Sequence, residues 1–134
     1  MRCDLHVHSK HSGAADLPVL RYVGRESYSE PLAVYERAMA RGMDLVTLTD
    51  HDTLAGGLEL RHLPNVFLSE EVTVHLPGER QLHVNVFDLR EPQHEALAGR
   101  RRDPEAFFAR LAEERLPASV NHLFSALTGG REVA

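Results

Sequence analysis

The chain has 134 residues, 43% hydrophobic and 26% charged, the balance of an ordinary folded domain rather than of a disordered or fibrous segment. Its net charge of −5 argues against a general nucleic-acid-binding surface, duplex nucleic acid included, and no stretch is long and apolar enough to span a membrane. The single cysteine, Cys3, cannot form an internal disulfide, which fits a reducing cytoplasm and a small buried apolar side chain. The N-terminus lacks the charged-then-apolar pattern of a leader. Nine histidines are many for this length and make a polynuclear metal site worth testing.

Asp4-Leu5-His6-Val7-His8-Ser9 is predicted to be a short strand. Side chains alternate along a strand, so His6 and His8 share a face, as half of a metal site would require. Asp4 falls on the same face and can orient a ligand from behind. The plainer account of such a pair is two solvent-facing histidines. Residues 10–29 then read as a long loop holding His11, Gly13, Asp16, Pro18 and Gly24 without periodicity. Loops of that length are often functional. Ser29 is a fair N-cap, Pro31 suits the first helical turn, and Leu32, Tyr35 and Met39 recur at helical spacing before Gly42 ends the helix. That stripe is expected to pack against the sheet.

A second strand is expected over Asp44–Thr49, running into Asp50-His51-Asp52-Thr53. Strand, turn and helix make a β/α unit, and such folds keep their chemistry at the C-terminal ends of the strands. Turn formation and N-capping account equally for Asp50 and Asp52. Residues 54–63 form at most a weak helix, because Gly56-Gly57 opposes one. Glu70–His75 is a third strand, Pro77-Gly78 a turn, and Leu82–Phe87 a fourth strand on which His83 and Asn85 share a face. Residues 90–102 are polar and partly helical. Asp103-Pro104-Glu105 opens a helix with the stripe Phe107, Phe108, Leu111 and Ala112, which Leu116-Pro117 closes. Ala118–Asn121 is a short fifth strand ending on His122.

Strands and helices in alternation predict α/β architecture with a largely parallel sheet. Curled towards a barrel, that sheet would bring His6, His8, His51, Glu71, His83 and His122 to one rim. Zinc and harder divalent ions both accept a mixed set of imidazoles and a carboxylate. A glutamate bridging two ions about 3.5–4 Å apart suits hydrolysis of phosphate esters.

Asp-Leu-His-Val-His-Ser at 4–9, Thr-Asp-His-Asp-Thr at 49–53, Glu-Val-Thr at 71–73, His83 and Asn121-His122 resemble, in order and across nearly the whole chain, the PHP (polymerase and histidinol phosphatase) family. The resemblance implies a distorted (β/α)7 TIM-like barrel with two or three divalent ions (zinc, manganese or iron) at the strand ends, and phosphoesterase activity. Carried over residue by residue, His6 and His8 correspond to ligands of a first metal and Glu71 to the bridge to a second. His83 and His122 correspond to the second metal's other ligands, and His51 to a ligand of a third. Glu70 is the alternative bridge, but it would point to the other face of the strand. Glu71, His51 and Asp50 are the candidate catalytic residues, and Lys10, Arg21 or Arg25 could assist a phosphate, although each reads equally as surface charge.

Two departures stand out. Ser12-Gly13 replaces the family's Ser-Asp, which leaves His11 or Asp16 as substitutes for a third-metal ligand. The family's late Asp-x-His has no counterpart after His122, and a barrel of this kind takes about 200 residues or more. Residues 1–134 therefore read as a single PHP-type domain lacking its C-terminal strands. The implied function is hydrolysis of a small phosphorylated substrate, such as a sugar, amino-alcohol or nucleotide phosphate, by metal-activated water. The alternative is a non-catalytic metal-binding or regulatory PHP module of a larger multidomain protein. An incomplete barrel would also expose an unpaired edge through which copies could self-associate.

Overall fold

Only Pro77, Gly78 and Glu79 separate the two longest strands, β1 (Ser69–Leu76) and β2 (Arg80–Phe87), and that short connection decides the sheet. Gly78 and Glu79 turn the chain back at φ of 77° and 57°. A parallel neighbour would need a crossover of about a dozen residues or more, so β2 must run antiparallel to β1. In this computed structural model, which describes residues 1–13 and 27–123, a third strand, β3 (Ala118–Asn121), pairs antiparallel with β2 and completes a sheet of order β1-β2-β3. The fold is mixed α/β, but its sheet is small and antiparallel, which corrects the expectation of a largely parallel one.

Parallel geometry survives beside β1. Residues 4–9 and 44–49 are not strands of the sheet, contrary to expectation, but single bridges hold the second segment alongside the chain leading into β1. Val46 pairs parallel with Val66 and His51 parallel with Glu71. The first segment joins through the Thr49 N–H, which donates to the Val7 carbonyl at 2.7 Å. The Asn85 amide donates to the Leu5 carbonyl at 3.0 Å and ties the same segment to β2.

Strand alternation gives the sheet two different faces. Val72 and Val74 of β1 and Val84 and Val86 of β2 point to one side, where they pack with Leu89, Leu97, Phe107 and Leu111 as the buried core. Among the described residues, four helices lie around this framework: α1 (Pro31–Ala40), α2 (Ala55–Leu60), α3 (Glu91–Ala98) and α4 (Pro104–Glu113). The helix α4 begins where Asp103 and Pro104 place it, with Asp103 Oδ1 accepting the Ala106 N–H at 3.0 Å. Its buried face is Phe107 and Leu111, one turn apart, while Phe108 is exposed. The start of α1 is one residue later than the Ser29 cap implies, with Glu30 in the capping position. Leu32 and Met39 are exposed, so the α1 stripe does not pack on the sheet as expected; a periodic apolar row identifies a face, not what covers it.

The helix α2 forms despite Gly56-Gly57, and Gly56 explains itself. A Cβ there would collide with the Asp50 carboxylate and stand 2.7 Å from the Ser9 hydroxyl, so only glycine lets α2 approach this closely. Among the described residues no helix is long and apolar enough to cross a membrane. Asp16, Arg21 and Arg25, named above as possible contributors, lie outside the described residues.

Candidate metal centre

The face of the sheet opposite the core carries the polar residues. Glu71 of β1 stands across from Asn85 of β2, Thr73 across from His83, and His83 across from Asn121 of β3. Alternation therefore puts Glu71, His83 and Asn85 on one side by register alone. His122 follows β3 directly. The bridge between His51 and Glu71 brings in the 50–52 segment, with the Glu71 N–H donating to the Asp50 carbonyl at 3.1 Å and the Asp52 N–H donating to the Glu71 carbonyl at 3.0 Å. His6 and His8 come in on the extended segment held by Thr49 and Asn85.

Glu71 is the centre of the arrangement and is fully buried. Its Oε2 lies 2.9 Å from His6 Nε2, 3.1 Å from His8 Nε2 and 3.6 Å from His51 Nε2. Its Oε1 accepts from Asn121 Nδ2 at 3.0 Å and lies 3.2 Å from His122 Nε2 and 3.4 Å from His83 Nδ1. His6 and His122 are the most open, with side chains 40% exposed, whereas His51 and His83 are nearly covered. The rings contact one another in a chain: His8 stacks on His51 at 4.9 Å, and His83 meets His51 and His122 edge-on at the same separation. The structure thus brings His6, His8, His51, His83 and His122 around Glu71.

Other expected contributors stand elsewhere. The Asp50 carboxylate is engaged with the first segment: Oδ1 accepts the Ser9 N–H at 2.5 Å and Oδ2 accepts the Ser9 hydroxyl at 2.7 Å, so it anchors the stretch that carries His6 and His8. Asp4 accepts the His6 backbone N–H at 3.2 Å and so orients the segment rather than a ring. Glu70 faces the opposite side and pairs with His94 at 2.8 Å. Burial pushes the Glu70 carboxyl up, against the pull of His94, and the hydrogen bond to Glu70 pushes His94 up. His11 pairs with Glu59 at 2.5 Å, and Lys10 with Glu30 at 2.7 Å.

Ser12 has a place that its sequence did not announce. It is fully buried, its hydroxyl lies 3.0 Å from His8 Nδ1, and it accepts the His51 backbone N–H at 3.1 Å. A proton on Nδ1 directed to Ser12 leaves His8 Nε2 free to face the cluster, a common arrangement behind a metal-binding histidine. Asn85 likewise went unrecognised as the tether of the first segment. Serines and amides in loops and strands follow no periodicity, so only the assembled fold reveals them.

The donor set fits metal ions better than hydrogen bonds alone. An ionised carboxylate has about four lone-pair sites. Six side-chain nitrogens crowd Glu71 within 3.6 Å, more than it can accept from. Imidazole nitrogens also face one another, His6 Nε2 and His8 Nε2 at 3.1 Å and His83 Nδ1 and His122 Nε2 at 3.4 Å. Ligand atoms around a tetrahedral zinc with bonds of about 2.0–2.1 Å stand about 3.3 Å apart, so these separations suit lone pairs directed at a shared cation. Among the described residues two trios have ligand atoms close enough to hold an ion, His6–His8–Glu71 and His51–Glu71–His83, and they share Glu71. Asn85 Oδ1, across the register from Glu71, is buried without a hydrogen-bond partner among the described residues. Burial works to push the Glu71 carboxyl up, but hydrogen bonds from His8, His83 and Asn121, with the charge of His51, outweigh it and hold the group well below the usual carboxylate range. The bridge candidate is therefore an anion at any ordinary pH.

No known protein-family model matches the chain. An uncharacterized protein of Methanocaldococcus jannaschii is 36% identical over 72 residues, which take in 54% of this chain and 41% of that protein, so the chain spans less than half the length of this curated relative. Among solved structures, an amidohydrolase from Chromobacterium violaceum, with sulfate bound and no metal, is 28% identical and superposes with a TM-score of 0.52, covering 74% of this chain and 32% of that one. A Bifidobacterium adolescentis structure, whose assignment as a metal-dependent phosphoesterase is itself provisional, is 20% identical with a TM-score of 0.48, covering 72% and 32%. That second likeness is too slight to carry an argument. The first places this chain's fold alongside about a third of an amidohydrolase.

Proposed function

We propose that the protein is a metal-dependent hydrolase acting on phosphate esters, built as the N-terminal portion of a PHP-type barrel. The observation that carries the reading is the pair of overlapping trios, His6–His8–Glu71 and His51–Glu71–His83, which share one buried carboxylate. His122 Nε2, 3.2 Å from Glu71 Oε1, completes the second group. Divalent ions held there, zinc, manganese or iron, would supply an activated water and compensate the charge that develops on phosphorus. Glu71 stays ionised and holds both groups in register. Asp50 fixes Ser9 and with it the segment bearing His6 and His8, while His51 closes the buried side and keeps bulk water out. The more exposed His6 and His122 border the side from which a small phosphorylated substrate would enter.

The test begins with metal. Protein produced with zinc or manganese supplementation is expected to carry metal by elemental analysis, and Glu71→Gln to lose most of it. An aryl phosphate should then be hydrolysed in a metal-dependent way, and an aryl amide should not. Metal-free protein that takes up no ion would sink the reading; turnover of the amide alone would move the reaction to C–N bonds.

A further inference from the structure

A second polar cluster lies outside the site, at the junction of β1, the 50–52 segment and the turn between α3 and α4. Asp52 follows His51 and sits in the left-handed region, at φ 55°. Such a backbone is strained unless its surroundings over-determine it, although aspartate tolerates the region better than most. N-capping does not explain its side chain, although the residue lies in a turn: Leu54 holds the N-cap position of α2, with no side-chain cap, and the Asp52 carboxylate is engaged elsewhere. Its Oδ1 accepts the Thr73 N–H at 2.7 Å and its Oδ2 accepts Arg101 Nη2 at 2.9 Å. The same guanidinium donates from Nε to the Thr73 carbonyl at 2.9 Å. Arg101 is itself fastened to β1, because its carbonyl accepts the His75 N–H at 2.7 Å.

We propose that Arg101 is a positioning residue for His51. One guanidinium grips the Asp52 carboxylate and the Thr73 carbonyl together, which pins the left-handed residue beside His51 to β1. The His51 backbone is then bracketed between the two bonds that Asp50 and Asp52 make to Glu71, and its ring is aimed at the Glu71 carboxylate. Without the grip, Asp52 relaxes towards an ordinary backbone conformation. That movement either breaks its bond to Thr73 or swings the 50–52 segment away from Glu71. An ammonium group cannot reproduce the planar fork that serves both acceptors.

The consequence for metal rests on the centre proposed above; the placement of His51 does not, so the experiment has two arms. Metal-free wild type, Arg101→Gln, Arg101→Lys and Asp52→Asn are labelled with diethyl pyrocarbonate, and modification of each histidine is followed by mass spectrometry. His51, nearly covered in the wild type, is expected to label several-fold faster in Arg101→Gln and Asp52→Asn and to a smaller degree in Arg101→Lys, with His83 unchanged. In the second arm, zinc affinity is measured by chelator competition in the wild type and in His51→Ala, each with and without Arg101→Gln. Loss of an outer partner typically weakens metal binding by about 10–100-fold. That loss is expected in the wild-type background and is expected to vanish when His51 is already alanine. Faster His51 labelling with unchanged zinc affinity upholds the positioning role and overturns the reading of His51 as a zinc ligand. Unchanged His51 labelling, an equal rise over all histidines, or an undiminished zinc effect in His51→Ala overturns the role of Arg101.

Discussion

Glu71 is an anion in a place where burial alone would neutralise it, and that has a consequence for acid stability. Its carboxyl is held below the usual range by hydrogen bonds and the charge of His51. A carboxyl depressed in the folded state contributes stability that is fully present above its unfolded value, about pH 4.3, and lost as the pH falls below it. Metal-free wild type should therefore lose denaturation midpoint steeply below about pH 4.3, and Glu71→Gln should show a shallower acid limb in the same urea titrations. Parallel limbs would mean that the charge is not coupled to folding. At this scale the sequence was informative where a side chain combined an unusual type with a short motif, as His6, His8 and His51 do. It was uninformative about Ser12, Asn85 and Arg101, whose partners are 39, 80 and 49 positions away. Nothing local distinguishes them from surface polar residues.

At the scale of elements, two junctions carry the architecture. The first is the approach of α2 to the 48–50 segment. Gly56→Ala would push a methyl group onto Asp50 and Ser9, the buried pair that anchors the first histidine segment. Forced overpacking of this kind costs about 1–3 kcal/mol. The variant should melt lower and, under the metal reading, bind zinc more weakly; unchanged melting would show that the gap accommodates a methyl group. The second junction is α4 on β1, where Phe107 is fully buried against the valine face. Phe107→Ala should cost about 3–5 kcal/mol by thermal or urea unfolding. Its helix was readable because Asp103, Pro104 and the apolar stripe agree with one another. The α1 stripe was equally periodic yet leaves Leu32 and Met39 exposed. The sheet direction was misread although the decisive signal was present: Pro77-Gly78 allows a hairpin and no crossover, and that outweighs the alternation of strands and helices around it.

Across the whole molecule, the candidate centre gathers residues from almost the full described length, His6 and His8 near the start, His51, Glu71 and His83 in the middle, and His122 near the end. Apart from it, these segments are joined by a three-stranded sheet, by isolated bridges and by the hydrogen bonds that tie the first segment to Thr49, Asp50 and Asn85. A cation shared among them would act as a cross-link between parts of the chain that separate on unfolding. It binds the folded state and finds no assembled site in the unfolded chain, so it must raise stability by mass action, by about 2.7 kcal/mol at a free concentration one hundred times its dissociation constant. For a domain of this size that corresponds to a rise in Tm of about 10 °C. Scanning calorimetry of metal-free protein against increasing zinc or manganese should show Tm climbing with the logarithm of concentration, and a chelator should reverse it. Glu71→Gln should flatten the dependence, since both trios lose their shared ligand, whereas His11→Ala, on the pair with Glu59 outside the cluster, should leave it intact. A concentration-independent Tm in the wild type, or a rise equally large in Glu71→Gln, would place any bound ion elsewhere than among these residues.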